Sequence, residues 1–131
     1  MKRQIRLAVM AIKEFGKVNE YLEPIITLEL ANGAKIDCLV DTGFNGTLFL
    51  PRDFIEANNL ISVGEQEFNS VAQAESHFAE VFVADVKWLG DEFEVRIIAG
   101  EYGSALIGAG MMLGAKLEID YTASTVVIEK V

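Results

Sequence analysis

Apolar residues recur at alternate positions through much of the chain, the period of a half-buried strand rather than of a helix. In "EPIITLEL", residues 23–30, Ile26, Leu28 and Leu30 fall on one face. "ANG", residues 31–33, follows with the Asn-Gly signal of a tight hairpin. "AKIDCLV", residues 34–40, returns with Ile36, Cys38 and Val40 aligned, and this strand ends at Asp41. A short apolar strand is predicted over "TLFL", residues 47–50, and one or two helical turns over "PRDFIEANN", with Pro51 at a tolerated first-turn position. The span 68–90 reads as two strands around a polar stretch near Gln73–Ser76, with apolar alternation through Val81 and Val83 toward Leu89. "DEFEVRIIAG", residues 91–100, pairs back through Phe93, Val95 and Ile97. "SALIGAGMMLGAKLEID" predicts a short strand, a glycine corner and a short apolar helix, and "STVVIEKV" a last strand.

Many short strands separated by turn signals predict an all-β barrel or sandwich. The 131 residues suit a single domain. Its core is expected over 22–131, with 1–21 as an N-terminal extension. The apolar stretch Leu7–Ile12 is too short for a signal-peptide core and Lys13–Glu14 follow at once. No segment is long enough to span a bilayer, so the expected location is cytoplasmic.

Charge narrows the partners. The net charge is −9, and the only basic cluster is Lys2, Arg3 and Arg6. That balance argues against nucleic acid and an anionic membrane as main partners. The single cysteine, Cys38, allows no internal disulfide and packs as a small hydrophobe in an apolar run.

The candidate chemistries thin out quickly. One histidine and one cysteine cannot build a thiolate–imidazole zinc site, and no Asp-rich calcium loop spacing occurs. A Ser-His-Asp triad would have to use His77, which adjoins Ser76 on the polar stretch, and there is no Gly-x-Ser-x-Gly elbow. "GAGMMLG", residues 108–114, has Leu113 where a dinucleotide fingerprint needs its third glycine. Its glycines read instead as a sharp corner with close packing.

Asp41 remains. Asp-Thr-Gly alone is equally compatible with an Asx-turn, in which the carboxylate binds amides of its own loop, and with a functional site. "CLV" before it and "TLFL" after it mount the loop between two buried strands, and a rigid mount suits a reactive group.

"LVDTGFNGTLFLP", residues 39–51, with "ALIGAGMMLG" some sixty residues later resembles the retropepsin-like aspartic proteases, and most closely their small single-domain bacterial and archaeal members. The resemblance covers roughly residues 22–130. It implies an all-β fold, a closed retropepsin-like barrel with one short C-terminal helix and one lobe per chain. It also implies a homodimer in which each chain offers one catalytic aspartate, Asp41. The implied activity is an aspartic endopeptidase acting on peptide or protein substrates, with neither metal nor cofactor required.

By position, Thr42 matches the threonine that locks the two loops across the dimer axis, and Gly43 the glycine that lets the substrate backbone approach. Asn45 falls where retroviral members place a substrate-contacting aspartate. Ile107 and Gly108 match the second motif, which packs behind the active-site loop. The resemblance puts Phe44 beside the substrate pocket, and Gln73 and Ala74 on a flap over Asn69–Ala79. Three departures stand out. Phe44 replaces the usual small residue, Ala109 and Gly110 replace a polar pair, and the flap lacks a glycine-rich tip. These leave a second reading, a catalytically inactive dimerisation or peptide-binding module on the same fold. A third, a metal-dependent hydrolase using scattered carboxylates, would lose its activity to a chelator.

Overall fold

The computed structural model describes residues 11–69, 76–101, 103 and 105–131. The strands are β1 (Lys13–Val18), β2 (Pro24–Leu30), β3 (Lys35–Asp41), β4 (Leu48–Pro51), β5 (Ile61–Asn69), β6 (Ser76–Trp88), β7 (Asp91–Gly100), β8 (Ala105–Gly108), β9 (Ala115–Asp120) and β10 (Thr125–Lys130). A short helix α1 spans Arg52–Ala57, and among the described residues a single 3-10 turn spans Ala109–Met112. Among the described residues no helix is long and apolar enough to cross a membrane.

The strands form one sheet in the order β5-β6-β7-β4-β8-β3-β2-β1-β10-β9. An additional pairing, Leu30 with Val86 and Glu29 with Lys87, joins β2 to β6. It closes β6, β7, β4, β8, β3 and β2 into a six-stranded barrel. The expected faces of β2 and β3 line its interior. Ile26, Leu28, Leu30, Cys38 and Val40 are buried with Leu48, Leu50, Ile97 and Ile107. Each fully buried Leu or Ile contributes about 1.5–3 kcal/mol by leaving water. The Asn-Gly turn is a three-residue loop, with Gly33 at φ +92° and the Ala34 carbonyl accepting the Leu30 N–H at 2.8 Å.

Three elements differ from the sequence expectation. β1, placed in the N-terminal extension, lies in the sheet between β2 and β10. The short apolar helix after the glycine corner is the one 3-10 turn, and "AKLEID" forms β9 at the sheet edge. On β6 the core residues are Phe82, Val86 and Trp88, not a Val81–Val83 face; Val81 is buried outside the main core cluster. Val81 stands on the opposite face, at the point where β6 leaves the barrel. Val81–Trp88 pair with β7, whereas Ser76–Glu80 pair only with Asn69–Glu65 of β5. Those residues form a two-stranded arm standing beyond the barrel.

The β6–β7 turn places Leu89 at φ 48° and Gly90 at φ 80°. A left-handed leucine costs roughly 1–2 kcal/mol. Burial of the Leu89 side chain offsets this, and the Glu14 carboxylate accepts the Leu89 N–H at 3.2 Å. Burial raises the Glu14 pKa above its ordinary value; the Leu89 N–H partly offsets this, and the charge of Glu29 adds to it. A raised folded-state pKa means protonation favours folding. That contribution is complete below the unfolded value, ~4, and is lost as pH rises through the folded one. Glu14→Gln keeps an acceptor for Leu89 without the charge. It should therefore melt higher than the wild type at neutral pH, with the gap closing as pH falls through the carboxylate range. Identical melting curves at every pH would show that burial of Glu14 carries no penalty.

Candidate active site

The strand order β4-β8-β3 dictates the shape of the site. β3 runs parallel to β8, so Asp41 at its end lies beside Gly108 at the end of β8. β4 lies on the far side of β8, with Leu48 paired to Ile107. The segment Thr42–Thr47 must therefore cross over the end of β8. Backbone hydrogen bonds lace it down as it crosses. Gly108 N–H donates to the Thr47 carbonyl at 2.8 Å, Ala109 N–H to Phe44 at 2.7 Å, and Gly110 N–H to Gly46 at 3.0 Å.

Glycine at 108 is a steric requirement of this crossing. A Cβ there would collide with the Gly46 carbonyl and come within 2.6 Å of Phe44 Cδ2 and 2.7 Å of the Phe44 carbonyl oxygen. The glycine corner expected in "IGAG" is thus the surface over which the Asp41 loop passes. Ile107, fully buried behind it, pairs in register with Val40.

Asp41 is half-buried, while Thr42, Gly43 and Asn45 are exposed. Asp41 Oδ1 accepts the Gly43 N–H at 3.0 Å, and the Asp41 carbonyl accepts the Phe44 N–H at 3.2 Å. An Asx-turn does form, but it occupies only Oδ1. Among the described residues no side chain forms an ion pair with Asp41. Phe44 is half-buried and its ring meets Phe49 edge-on, with centroids 6.5 Å apart and planes at 81°. Gln73 and Ala74 lie outside the described residues, as does most of the polar stretch assigned to a flap. The strands leading to that stretch are the arm of β5 and β6, on which Phe78 is 67% exposed.

Cys38, three residues before Asp41, offers no competing nucleophile. Its side chain is fully buried, and burial, with a further push from the charge of Asp37, raises its thiol pKa to about 12. Among the described residues no cluster of His, Cys, Asp and Glu could hold a metal ion. A broad concavity of about 570 Å³ contains Glu14, Glu29, Lys35, Lys87 and Trp88 but none of the Asp41 loop.

One group escaped the sequence reading. Arg52, directly after β4, bonds Glu80 of the arm at 2.9 Å and Glu101 after β7 at 3.2 Å, and Ser62 Oγ donates to Glu80 at 2.8 Å. The Arg52 hydrogen bond, helped by Ser62, holds the Glu80 pKa below its ordinary value. This cluster ties the root of the arm to the strand that follows the Asp41 loop. Its members come from four separate places in the chain, so no local pattern announces them.

The closed six-stranded barrel, with an Asp-Thr-Gly loop crossing a glycine-ended strand, is a retropepsin-like fold. A retropepsin-like aspartic protease from Rickettsia conorii matches it with TM-score 0.66 at 17% identity, over 92% of this chain and 92% of that one. The EIAV protease, solved with the inhibitor HBY-793, matches with TM-score 0.57 at 17% identity, over 77% of this chain and 97% of its own. The simian foamy virus (mac) protease, solved in solution, matches with TM-score 0.50 at 16% identity, over 68% and 91%. No family model matches the sequence, and no curated protein matches it.

Proposed function

We propose that the chain is an aspartic endopeptidase that acts as a homodimer, hydrolysing peptide bonds with a water held between two Asp41 carboxylates. The observation that carries this reading is Asp41 itself. It is half-buried on a backbone-laced loop, Oδ2 has no protein partner among the described residues, and the exposed Thr42–Gly43 lie beside it. One chain contains one Asp-Thr-Gly, so the second carboxylate must come from a second copy.

Two carboxylates brought close cannot both ionise and share one proton. The ionised member takes a proton from water as it attacks, and the protonated member donates to the scissile carbonyl. Thr42 would fasten the paired loops and Gly43 would let the substrate backbone approach. Phe44 and Asn45, with Gln73 and Ala74, would line the substrate channel. This chemistry needs no cofactor. A cytoplasmic setting suits a chain whose single cysteine is a buried free thiol.

The test is digestion of an unstructured peptide library over a range of protein concentrations, with sedimentation in parallel. The rate per chain should rise as copies pair and should be unchanged by a chelator. A strict monomer that cleaves equally well would overturn the shared site. A folded dimer that cuts nothing would leave the inactive module as the better reading.

A further inference from the structure

We propose that Phe44 is a positioning residue for Asp41, its ring keyed between Gly46 and Gly108 so that the crossing loop has one resting place; this rests on the hydrolytic reading above. The main chain of Phe44 is held at both ends. Its N–H donates to the Asp41 carbonyl at 3.2 Å, and its carbonyl accepts the Ala109 N–H at 2.7 Å. Its ring turns back over its own loop. A Cβ built on Gly46 would lie 2.5 Å from Phe44 Cζ and 2.8 Å from Cε1, so the ring occupies the space a side chain at 46 would need. A Cβ on Gly108 would meet the same ring from below, 2.6 Å from Cδ2.

The ring is also braced sideways. It stands edge-on to Phe49 of β4, and the Phe49 ring in turn covers the Cα of Gly100 at the end of β7. Two aromatic rings and three glycines thus form a continuous packed run from the barrel wall to the residue three places after Asp41. Packed rings hold discrete positions and transmit displacement. Removing the ring leaves the laced backbone but empties the space beneath it, and the loop can sink toward Gly108. A carboxylate displaced by about 1 Å can lose on the order of 10²-fold in rate.

The experiment compares Phe44→Ala and Phe44→Leu with the wild-type dimer in cleavage kinetics and native-state amide exchange. For Phe44→Ala, kcat should fall roughly 10–100-fold with KM little changed. Phe44→Leu should recover most of that loss, because it refills the space. Exchange at the Ala109 and Gly110 amides should accelerate in Phe44→Ala while Val126 and Ile128 in the core stay protected. If kcat holds and only the choice of peptide bond shifts, Phe44 acts solely as a wall of the substrate channel, without positioning Asp41, and the proposal is wrong. If exchange quickens equally throughout the core, the ring only stabilises the fold, and the proposal is equally wrong. Should Phe44→Ala not fold, Phe44→Val, which fills less of the space than leucine, takes its place: its kcat should fall below that of Phe44→Leu, and wild-type kcat in Phe44→Val would overturn the idea. If the wild type itself cleaves nothing, the hydrolytic reading fails first. Exchange at Ala109 and Gly110 then still decides whether the ring holds the loop.

Discussion

Asp41→Asn is expected to abolish peptide cleavage, by roughly 10²–10⁴-fold, while the two chains pair as tightly as before or tighter at neutral pH. The substitution keeps the shape of the loop. An asparagine carbonyl can still accept the Gly43 N–H that Asp41 Oδ1 accepts at 3.0 Å, so the turn survives. What disappears is the charge that activates water, and with it the like-charge repulsion between two carboxylates brought face to face. Pairing and activity should therefore move in opposite directions, which a merely damaged protein would not show. Mixing the chains sharpens the test. If each site draws one Asp41 from each copy, equal amounts of wild type and variant left to exchange should give about a quarter of the all-wild-type activity at the same total, because only like-with-like wild-type pairs work. Half the activity would mean that one chain suffices. Near wild-type cleavage by Asp41→Asn alone would remove Asp41 from the chemistry altogether.

The second large effect is expected at Gly108. In Gly108→Ala the new methyl has nowhere to go, since the Gly46 carbonyl and the ring and carbonyl of Phe44 already fill its place. Two of those three obstacles are backbone atoms, which cannot swing aside as a flexible side chain can. The crossing loop must lift, breaking the bonds from Gly108 to Thr47, from Ala109 to Phe44 and from Gly110 to Gly46. Destabilisation of about 1–3 kcal/mol or more is expected from overpacking, with activity lost in whatever fraction remains folded. Gly16→Ala is the matched control. Its methyl would collide with the Ile25 carbonyl in the β1–β2 pairing, two strands across the sheet from β3 and away from the crossing loop. It should lower the melting temperature without changing kcat per folded dimer. If Gly108→Ala melts and cleaves like the wild type, the loop is looser than its hydrogen bonds imply.

The legible parts of this fold are those where one face is dry and the other wet. β2 announces itself because Ile26, Leu28 and Leu30 alternate with Thr27 and Glu29, β3 because Ile36 and Cys38 flank Asp37, and Asn32–Gly33 between them fixes the turn. β1 gives no such signal. Its only buried residue is Val18, Phe15 is 70% exposed, and Lys13, Glu14 and Lys17 occupy the remaining positions around Gly16. It belongs to the sheet through pairing with β2 and β10, which a periodicity cannot show. β9 was hidden by the apolar run Met111–Leu113 before it, which reads as helix until Gly114, at φ 74°, turns the chain. On β6 both faces are apolar where the arm leaves the barrel, Val81 and Val83 on one and Phe82 and Ala84 on the other, so alternation alone does not choose the core face.

The candidate site was legible in a similarly selective way. That Asp41 ends one buried strand and that Gly108 ends another is visible in the letters. That the first loop crosses over the second strand follows only from the order β4-β8-β3, a long-range fact. The seat of the Phe44 ring on Gly46 and Gly108, and the bridge from Arg52 to Glu80 and Glu101, depend on that crossing and were therefore out of reach.

The crossing also has a consequence for synthesis. The amides that lace the Asp41 loop belong to Gly108, Ala109 and Gly110, and they enter the chain long after Asp41 does. While the ribosome is still adding the residues between, the loop has neither its floor nor its fasteners. The parallel pairing of β3 with β8 must wait equally long, a non-local closure of the kind that folds slowly. A nascent chain on the ribosome thus carries its aspartate unassembled, and the Asp41 loop takes its shape only once β8 and the turn after it have been made.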